Sequence, residues 1–256
     1  MTSGVETPPP DAEYALRLGD DALVLSQRLS EWITRAPAIE EEMALANIAL
    51  DLLGQARALL THAGEREGRG RDEDALAFLR GERELRNCLL VELPGGDFGR
   101  TVARLLLFSA YQVELYAALQ HSTDPTLAAL AARAVKEVAY HRDHAILWTL
   151  RLGDGTEESH RRIQRGLDEV WPYAAELFEA DPLVSDLSRC RVAVDPSALR
   201  APWDGAVRAV LAEATLTVPD VGWSPSGGRR GLHTEHLGYL LAEMQHLHRS
   251  HPGARW

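Results

Sequence analysis

Only two cysteines occur among the 256 residues, Cys88 and Cys190. Two thiols so far apart in sequence make neither a disulfide framework nor a thiolate metal site, so a reducing compartment, the cytoplasm, is expected. The first eleven residues, MTSGVETPPPD, lack the charged and apolar regions of a secretory signal. No later run approaches the roughly 20 apolar residues of a membrane span, so neither secretion nor insertion is expected. Positive charge is also short. With 27 Lys and Arg against 38 Asp and Glu, the net charge is -11, the wrong sign for a nucleic-acid partner, whose phosphates demand a basic face. Alternating apolar and polar residues are almost absent, and with them the case for β-sheet. There is no internal repeat. No Ser-His-Asp or Cys-His arrangement assembles from local motifs, and Cys88, inside NCLLVEL, reads as a small buried hydrophobe rather than a nucleophile.

What is present is helix-period patterning in a chain with ordinary globular composition, 45% apolar and 25% charged. The fold expected is all-α: a ferritin-like four-helix bundle with additional C-terminal helices, in a single domain over residues 12–256. Residues 1–11 should form a disordered tail, because Pro8, Pro9 and Pro10 remove backbone donors and little apolar surface is available to order it. The bundle helices are expected at about 12–35, 39–65, 98–121 and 126–152, stopped by Pro37, by GEREGRGR, by Asp124-Pro125 and by Gly153-Asp154-Gly155. Each would be roughly 36 to 40 Å long at 1.5 Å per residue. The connection between the second and third is long enough to cross over along the bundle. Further helices are expected at about 157–179, 203–216 and 234–249. The last carries Leu237, Leu240, Leu241, Met244 and Leu247 at helical spacing and must pack on something.

The stretch EVAYHRDH at 137–144 places an acid and two histidines in the fourth helix. A ferritin-like di-iron centre needs one Glu from each of two helices and a Glu-x-x-His pair from each of the other two. Asp21, Asp51, Glu114 and Glu137 each fall on or beside a plausible inward face, one acid per helix. The histidines do not follow, since Gly54 stands three residues after Asp51 and Tyr140 three after Glu137. The simpler reading pairs these acids with His141, His144, Arg or Tyr, because buried charges persist only when partnered. The alternative is a rearranged centre, with Asp21, Asp51, Glu114, Glu137, His141 and His144 holding iron in an oxygenase or iron-oxidising enzyme. A third possibility is a helical module that holds an acyl-CoA without reacting it.

Four segments carry a resemblance: DLLGQARALLTHAGEREGRGRDEDALAFLR (51–80), FSAYQVELYAAL (108–119), EVAYHRDHAILWTLRLGDGTEESHRRIQ (137–164) and GGRRGLHTEHLGYLLAEMQHLHRSHPGARW (227–256). Together they resemble the C-subunit family of the bacterial ring 1,2-phenylacetyl-CoA epoxidases, also called phenylacetate-CoA oxygenases, over nearly the whole chain from Asp11. The resemblance implies a ferritin-like subunit that has lost its metal centre, has no active centre or cofactor of its own, and stabilises a homologous catalytic A subunit. That partner would carry the di-iron centre, bind phenylacetyl-CoA and insert one oxygen atom across the aromatic ring. Electrons would come from NADPH through a reductase with FAD and an iron-sulfur cluster, and a small accessory subunit would complete the assembly. A homodimer of the isolated chain is also conceivable.

The remaining motifs are weaker. HTEH at 233–236 spaces its histidines at i, i+3, against i, i+4 in metalloprotease helices, so capping by Thr234 and partner contacts are expected there instead of zinc. GGRRG at 227–231 lacks the Lys-Ser/Thr of a phosphate loop and follows no strand. Arg and Trp are favoured interface anchors, so Trp223, Arg229, Arg230, His233, Glu235 and His236 are candidates for contact with a partner. Tyr111, Tyr116 and Trp148 read as core, His246, His248 and His251 as surface, and Glu40-Glu41-Glu42 as a solvated helix start.

Overall fold

In a computed structural model the protein is described over residues 8–254. Helix α1 (Pro10–Ser30) starts with proline at its first position, where a missing N–H costs nothing, and with Asp11 and Glu13 in its first turn. Helix α2 (Ile39–Glu67) opens on three glutamates and closes on Gly68, whose φ of 67° is the left-handed cap that glycine adopts freely. The crossover carries two short helices, α3 (Glu73–Phe78) and α4 (Leu89–Glu92). The caps of α5 (Phe98–Leu119) and α6 (Pro125–Gly153) are Asp97, accepting from the N–H of Arg100, and Asp124, accepting from Thr126 and Leu127. Beyond them lie α7 (Glu157–Val170), α8 (Pro182–Arg189), α9 (Arg200–Glu213) and α10 (Glu235–Ser250). No strand occurs among the described residues.

Helix α1 packs along α2 and α5 along α6, and the two hairpins meet through α2 and α6. Helix α7 lies on α5, and the approach is close because a Cβ on Gly166 would stand 2.5 Å from the Cα of Arg100. One contiguous core joins the bundle to the C-terminal helices, from Leu25, Leu52 and Leu59 through Phe108 and Tyr116 to Trp203 and Leu237. The all-α bundle with additional C-terminal helices is therefore as expected.

Several boundaries differ. Helix α1 stops at Ser30, and a turn at 31–35 follows in which Thr34 has a φ of 71°. The third-from-last helix, expected to reach 179, ends at Val170 because Pro172 lacks the N–H needed to continue; the chain goes on as 3-10 turns over Trp171–Phe178. Helix α8 lies in a stretch expected to be irregular. Of the tail expected over 1–11, residues 1–7 lie outside the described part, and Pro10 and Asp11 already belong to α1. Contrary to expectation, α2 and α5 are each long and apolar enough to cross a membrane by length and composition alone. Of the most apolar stretch of α5, 78% is buried inside the protein, against 44% for α2.

Candidate functional site

Two separate polar networks run through the bundle. The first is made of four carboxylates, Asp20, Asp21, Glu92 and Glu176, each no more than 3% exposed. Asp20 pairs with Arg80 and accepts the backbone N–H of Arg86 at 2.7 Å. Asp21 receives two bonds from Arg229, at 2.9 and 2.7 Å, and one from the N–H of Cys88 at 2.7 Å. Glu92 accepts from the N–H of Thr234 at 2.6 Å, from Asn87 at 2.8 Å, and meets His233 Nδ1 at 2.7 Å. Glu176 accepts the N–H groups of Gly227 and Gly228, both at 2.8 Å, and of Leu89 at 2.6 Å. A buried charge needs such full satisfaction to persist. Together the four acids fasten the crossover at residues 80–92 to α1 and to the loop that precedes α10.

The GGRRG loop is thus an anion-binding turn whose anion is internal. Successive backbone N–H groups converge on the Glu176 carboxylate, as they would on a phosphate. Gly227 has a φ of 138°, and a Cβ on Gly228 would collide with the carbonyl oxygen of Asn87 at 2.2 Å, so neither position admits a side chain. Burial alone would pull Arg229 down, yet the charge of Asp21 beside it holds its guanidinium above the usual arginine range. The Cys88 thiol is pushed well above its usual value, first by burial and then by Asp21, which agrees with a structural role.

The second network follows the seam between α2 and α6, which run antiparallel. Trp148 Nε1 donates to Glu41 Oε2 at 2.6 Å, with His144 Nε2 at 3.5 Å from the same oxygen. His141 Nε2 stands 3.1 Å from Asp51 Oδ2, and His62 Nε2 stands 2.9 Å from Asp124 Oδ2. At the bundle centre, the Tyr116 hydroxyl donates to Gln55 Oε1 at 3.1 Å, and Gln55 Nε2 donates to Glu137 Oε2 at 2.9 Å. His141 is fully buried, and its Nδ1 has no hydrogen-bond partner among the described residues. Burial lowers the pKa of both His141 and His144 despite the acids beside them.

The structure does not bring the six candidate ligands together. Asp21 belongs to the first network and Asp51, Glu137, His141 and His144 to the second. Glu114 is half-exposed on α5, with no hydrogen bond or ion pair among the described residues. Burial also moves the i, i+3 frame by one residue. The fully buried pairs are Leu52 with Gln55 and Val138 with His141, all at 0% exposure, whereas Tyr140 is 52% exposed and a Cβ on Gly54 would meet nothing within 4 Å. The inward pairs therefore offer one imidazole and no carboxylate, which does not fit a di-iron cage. Among the described residues no three His, Cys, Asp or Glu side chains converge as metal ligands would.

Of the expected interface residues, Trp223, Arg230 and Glu235 are exposed and His236 is half-buried. Arg229 and His233 turn inward, where they meet Asp21 and Glu92 beneath the loop. Thr234 stands at the N-terminus of α10, but its hydroxyl makes no capping bond. Glu41 is likewise not simply solvated, being drawn into the seam by Trp148. Tyr111 and Tyr116 are core as expected. Asp20, Gln55, Glu92 and Glu176 were not singled out from the sequence. For the two glutamates a signal exists, since an acid inside an apolar run such as NCLLVEL or WPYAAELF must find internal donors.

The family model described as "Phenylacetic acid catabolic protein" matches residues 3–256, a span that takes in both polar networks and the loop before α10. The chain belongs to this family. As a phenylacetic acid catabolic protein it is similar to the C subunit of the 1,2-phenylacetyl-CoA epoxidase of Escherichia coli (strain K12), at 51% identity over 243 residues. The alignment spans 95% of this chain and 98% of that relative.

Proposed function

We propose that this chain is a non-catalytic structural subunit of a multicomponent phenylacetyl-CoA 1,2-epoxidase in aerobic phenylacetate catabolism, working in the cytoplasm beside a homologous di-iron catalytic subunit. The observation that carries this reading is the content of the bundle centre. Where two inward Glu-x-x-His pairs would stand, the chain has Leu52, Gln55, Val138 and His141, and a neutral chain from Tyr116 through Gln55 ends on Glu137. Leu52 and Val138 fill the ligand positions with apolar packing, which favours a rigid bundle over chemistry at its centre. The four buried carboxylates serve the same end by fixing the crossover and the C-terminal loop. The subunit designation of the relative supports membership of an assembly. The di-iron centre would reside in the catalytic partner, and FAD, the iron-sulfur cluster and the NADPH site in the reductase, with a small accessory subunit completing the complex.

Reconstitution tests this directly. The pure chain, given the reductase, NADPH, oxygen and phenylacetyl-CoA, should form no epoxide, and turnover by the catalytic homologue should depend on adding this chain. Epoxide formed by the pure chain would overturn the proposal in favour of an oxygenase in its own right.

A further inference from the structure

Helix α10 begins on a carboxylate supplied from elsewhere in the chain. Thr234 makes no side-chain cap, and its backbone N–H donates instead to Glu92 Oε1 at 2.6 Å. Glu92 ends α4, is 0% exposed, and accepts from Asn87 Nδ2 at 2.8 Å through its other oxygen. A helix N-terminus favours an anion in this place. The arginines around it are committed to other groups. Arg80 pairs with Asp20 on α1, and Arg86 donates to Glu13. Arg28 on α1 bonds the backbone carbonyl of Glu92 at 2.9 Å and the Glu31 carboxylate at 2.6 Å. The charge that meets the Glu92 carboxylate is therefore that of His233.

The His233 ring lies between two acceptors. Its Nδ1 stands 2.7 Å from Glu92 Oε2, and its Nε2 stands 3.1 Å from the backbone carbonyl oxygen of Leu85. A neutral imidazole has one N–H and one lone pair, so it serves only one of them; an imidazolium donates to both. The carbonyl oxygen has no proton to give, and Glu92 Oε2 already accepts from Asn87. The surroundings thus select the protonated ring. His141 has the opposite geometry, with Asp51 at Nε2 and no partner for Nδ1 among the described residues.

The other charged neighbours agree. Burial disfavours the imidazolium, but the bond and charge of Glu92 on α4 outweigh it, and Asp20 on α1 pulls the same way. Glu82 and Arg83, of opposite charge, line a surface cleft with Gly231, Leu232 and His233. That cleft gives water a path to the ring.

We propose that His233 is a pH-sensitive latch: as an imidazolium it ties the loop before α10 to the crossover at both Leu85 and Glu92, and its deprotonation loosens that attachment while the bundle stays closed. The stretch released is bounded on both sides. Arg229 stays on Asp21, and Gln245 stays on the carbonyl oxygens of Ala77 and Arg80, at 3.0 and 2.9 Å. Residues 230–244 lie between these two fixed points. In the open form His233 titrates at its ordinary value of about 6.5. The opening constant is therefore flat below that pH and rises by up to about tenfold per pH unit above it, until the folded value is passed.

Hydrogen exchange of the full chain, followed by mass spectrometry from about pH 6 to about pH 9 and divided by the intrinsic exchange rate at each pH, reads the opening constant. Peptides within 230–244 should lose protection by up to about tenfold per pH unit above pH 6.5, while those of α5 keep theirs. His233→Gln and Glu92→Gln should each remove this dependence. A second measurement needs no variant that must fold. With 15N-labelled histidine, the His233 ring should carry protons on both nitrogens at pH 6.5, where an ordinary histidine is about half neutral. Protection that stays constant over this pH range, or a His233 ring with one bare nitrogen at pH 6.5, would overturn the proposal. Equal loss of protection in α5 would also overturn it, because the whole fold and not the latch would then be opening.

Discussion

Arg229 and Asp21, 208 residues apart in sequence, meet in a two-pronged ion pair with N to O distances of 2.9 and 2.7 Å. The same guanidinium donates to the carbonyl oxygens of Arg17 and Arg86, at 3.1 and 2.9 Å. One side chain from the C-terminal loop therefore joins α1 to the crossover. Removing it leaves a buried carboxylate with Cys88 as its hydrogen-bond partner. Arg229→Ala should lower the unfolding free energy by about 3–5 kcal/mol, as breaking a buried pair does. Arg229→Lys should restore only part of this, because an ammonium lacks the planar fork. Denaturant unfolding of the three forms gives the comparison; full recovery in the lysine variant would show that charge alone matters.

Glu176 is the internal anion of the loop before α10. In Glu176→Gln one acceptor oxygen is replaced by an NH₂ group that faces backbone donors, at a cost of about 1–3 kcal/mol. The loop should loosen before the bundle does. Trypsin should then cut after Arg229 or Arg230 much faster than in the wild type, while the far-UV circular dichroism stays the same. Equal cleavage rates would mean that Glu176 does not hold the loop.

Two buried histidines give stability opposite pH dependences. Burial holds His141 below its usual 6.5 despite Asp51. Its neutral form belongs to the fold, so this contribution is present above pH 6.5 and is lost as pH falls through the folded value. Burial also acts downward on His233, but the bond and charge of Glu92 more than offset it and raise the pKa above 6.5. That contribution is complete below pH 6.5 and is lost as pH rises through the folded value. His141→Gln should flatten the acid side of the stability profile and His233→Gln the alkaline side. Equal slopes in wild type and variants would refute the assignment.

Much of the architecture was legible because helix signals are local. Asp124-Pro125, Gly68 and Thr156 mark ends that the structure keeps. The end of α7 is also legible in Pro172, whose missing N–H cannot continue the helix. The candidate site was less legible. Asp51 and Leu52 are neighbours, and only burial decides which points inward, so reading acids alone set the ligand frame one residue away. The role of Arg229 was hidden for a different reason, since its partner lies at the other end of the chain and no local pattern connects them.

The shifted frame has its own consequence. Tyr140 is 52% exposed and a Cβ on Gly54 would meet nothing within 4 Å, so Gly54→His combined with Tyr140→His puts imidazoles outside the bundle centre. This variant should take up no more tightly held iron than wild type and should show no oxo-bridged di-iron absorption after exposure to ferrous iron and air. Two firmly bound irons would show that the inward frame lies where the acids are.

Iron content is the most direct test of the central claim, that the centre of this bundle is packing and not a metal cage. The chain should be expressed alone in iron-supplemented medium, purified without chelator or histidine tag, and its iron measured by elemental analysis. Iron well below one per chain is the result predicted from Leu52, Gln55 and Val138 in the inward positions. Iron near two per chain would contradict it, and would make His141, His144 and the acids around them a working centre.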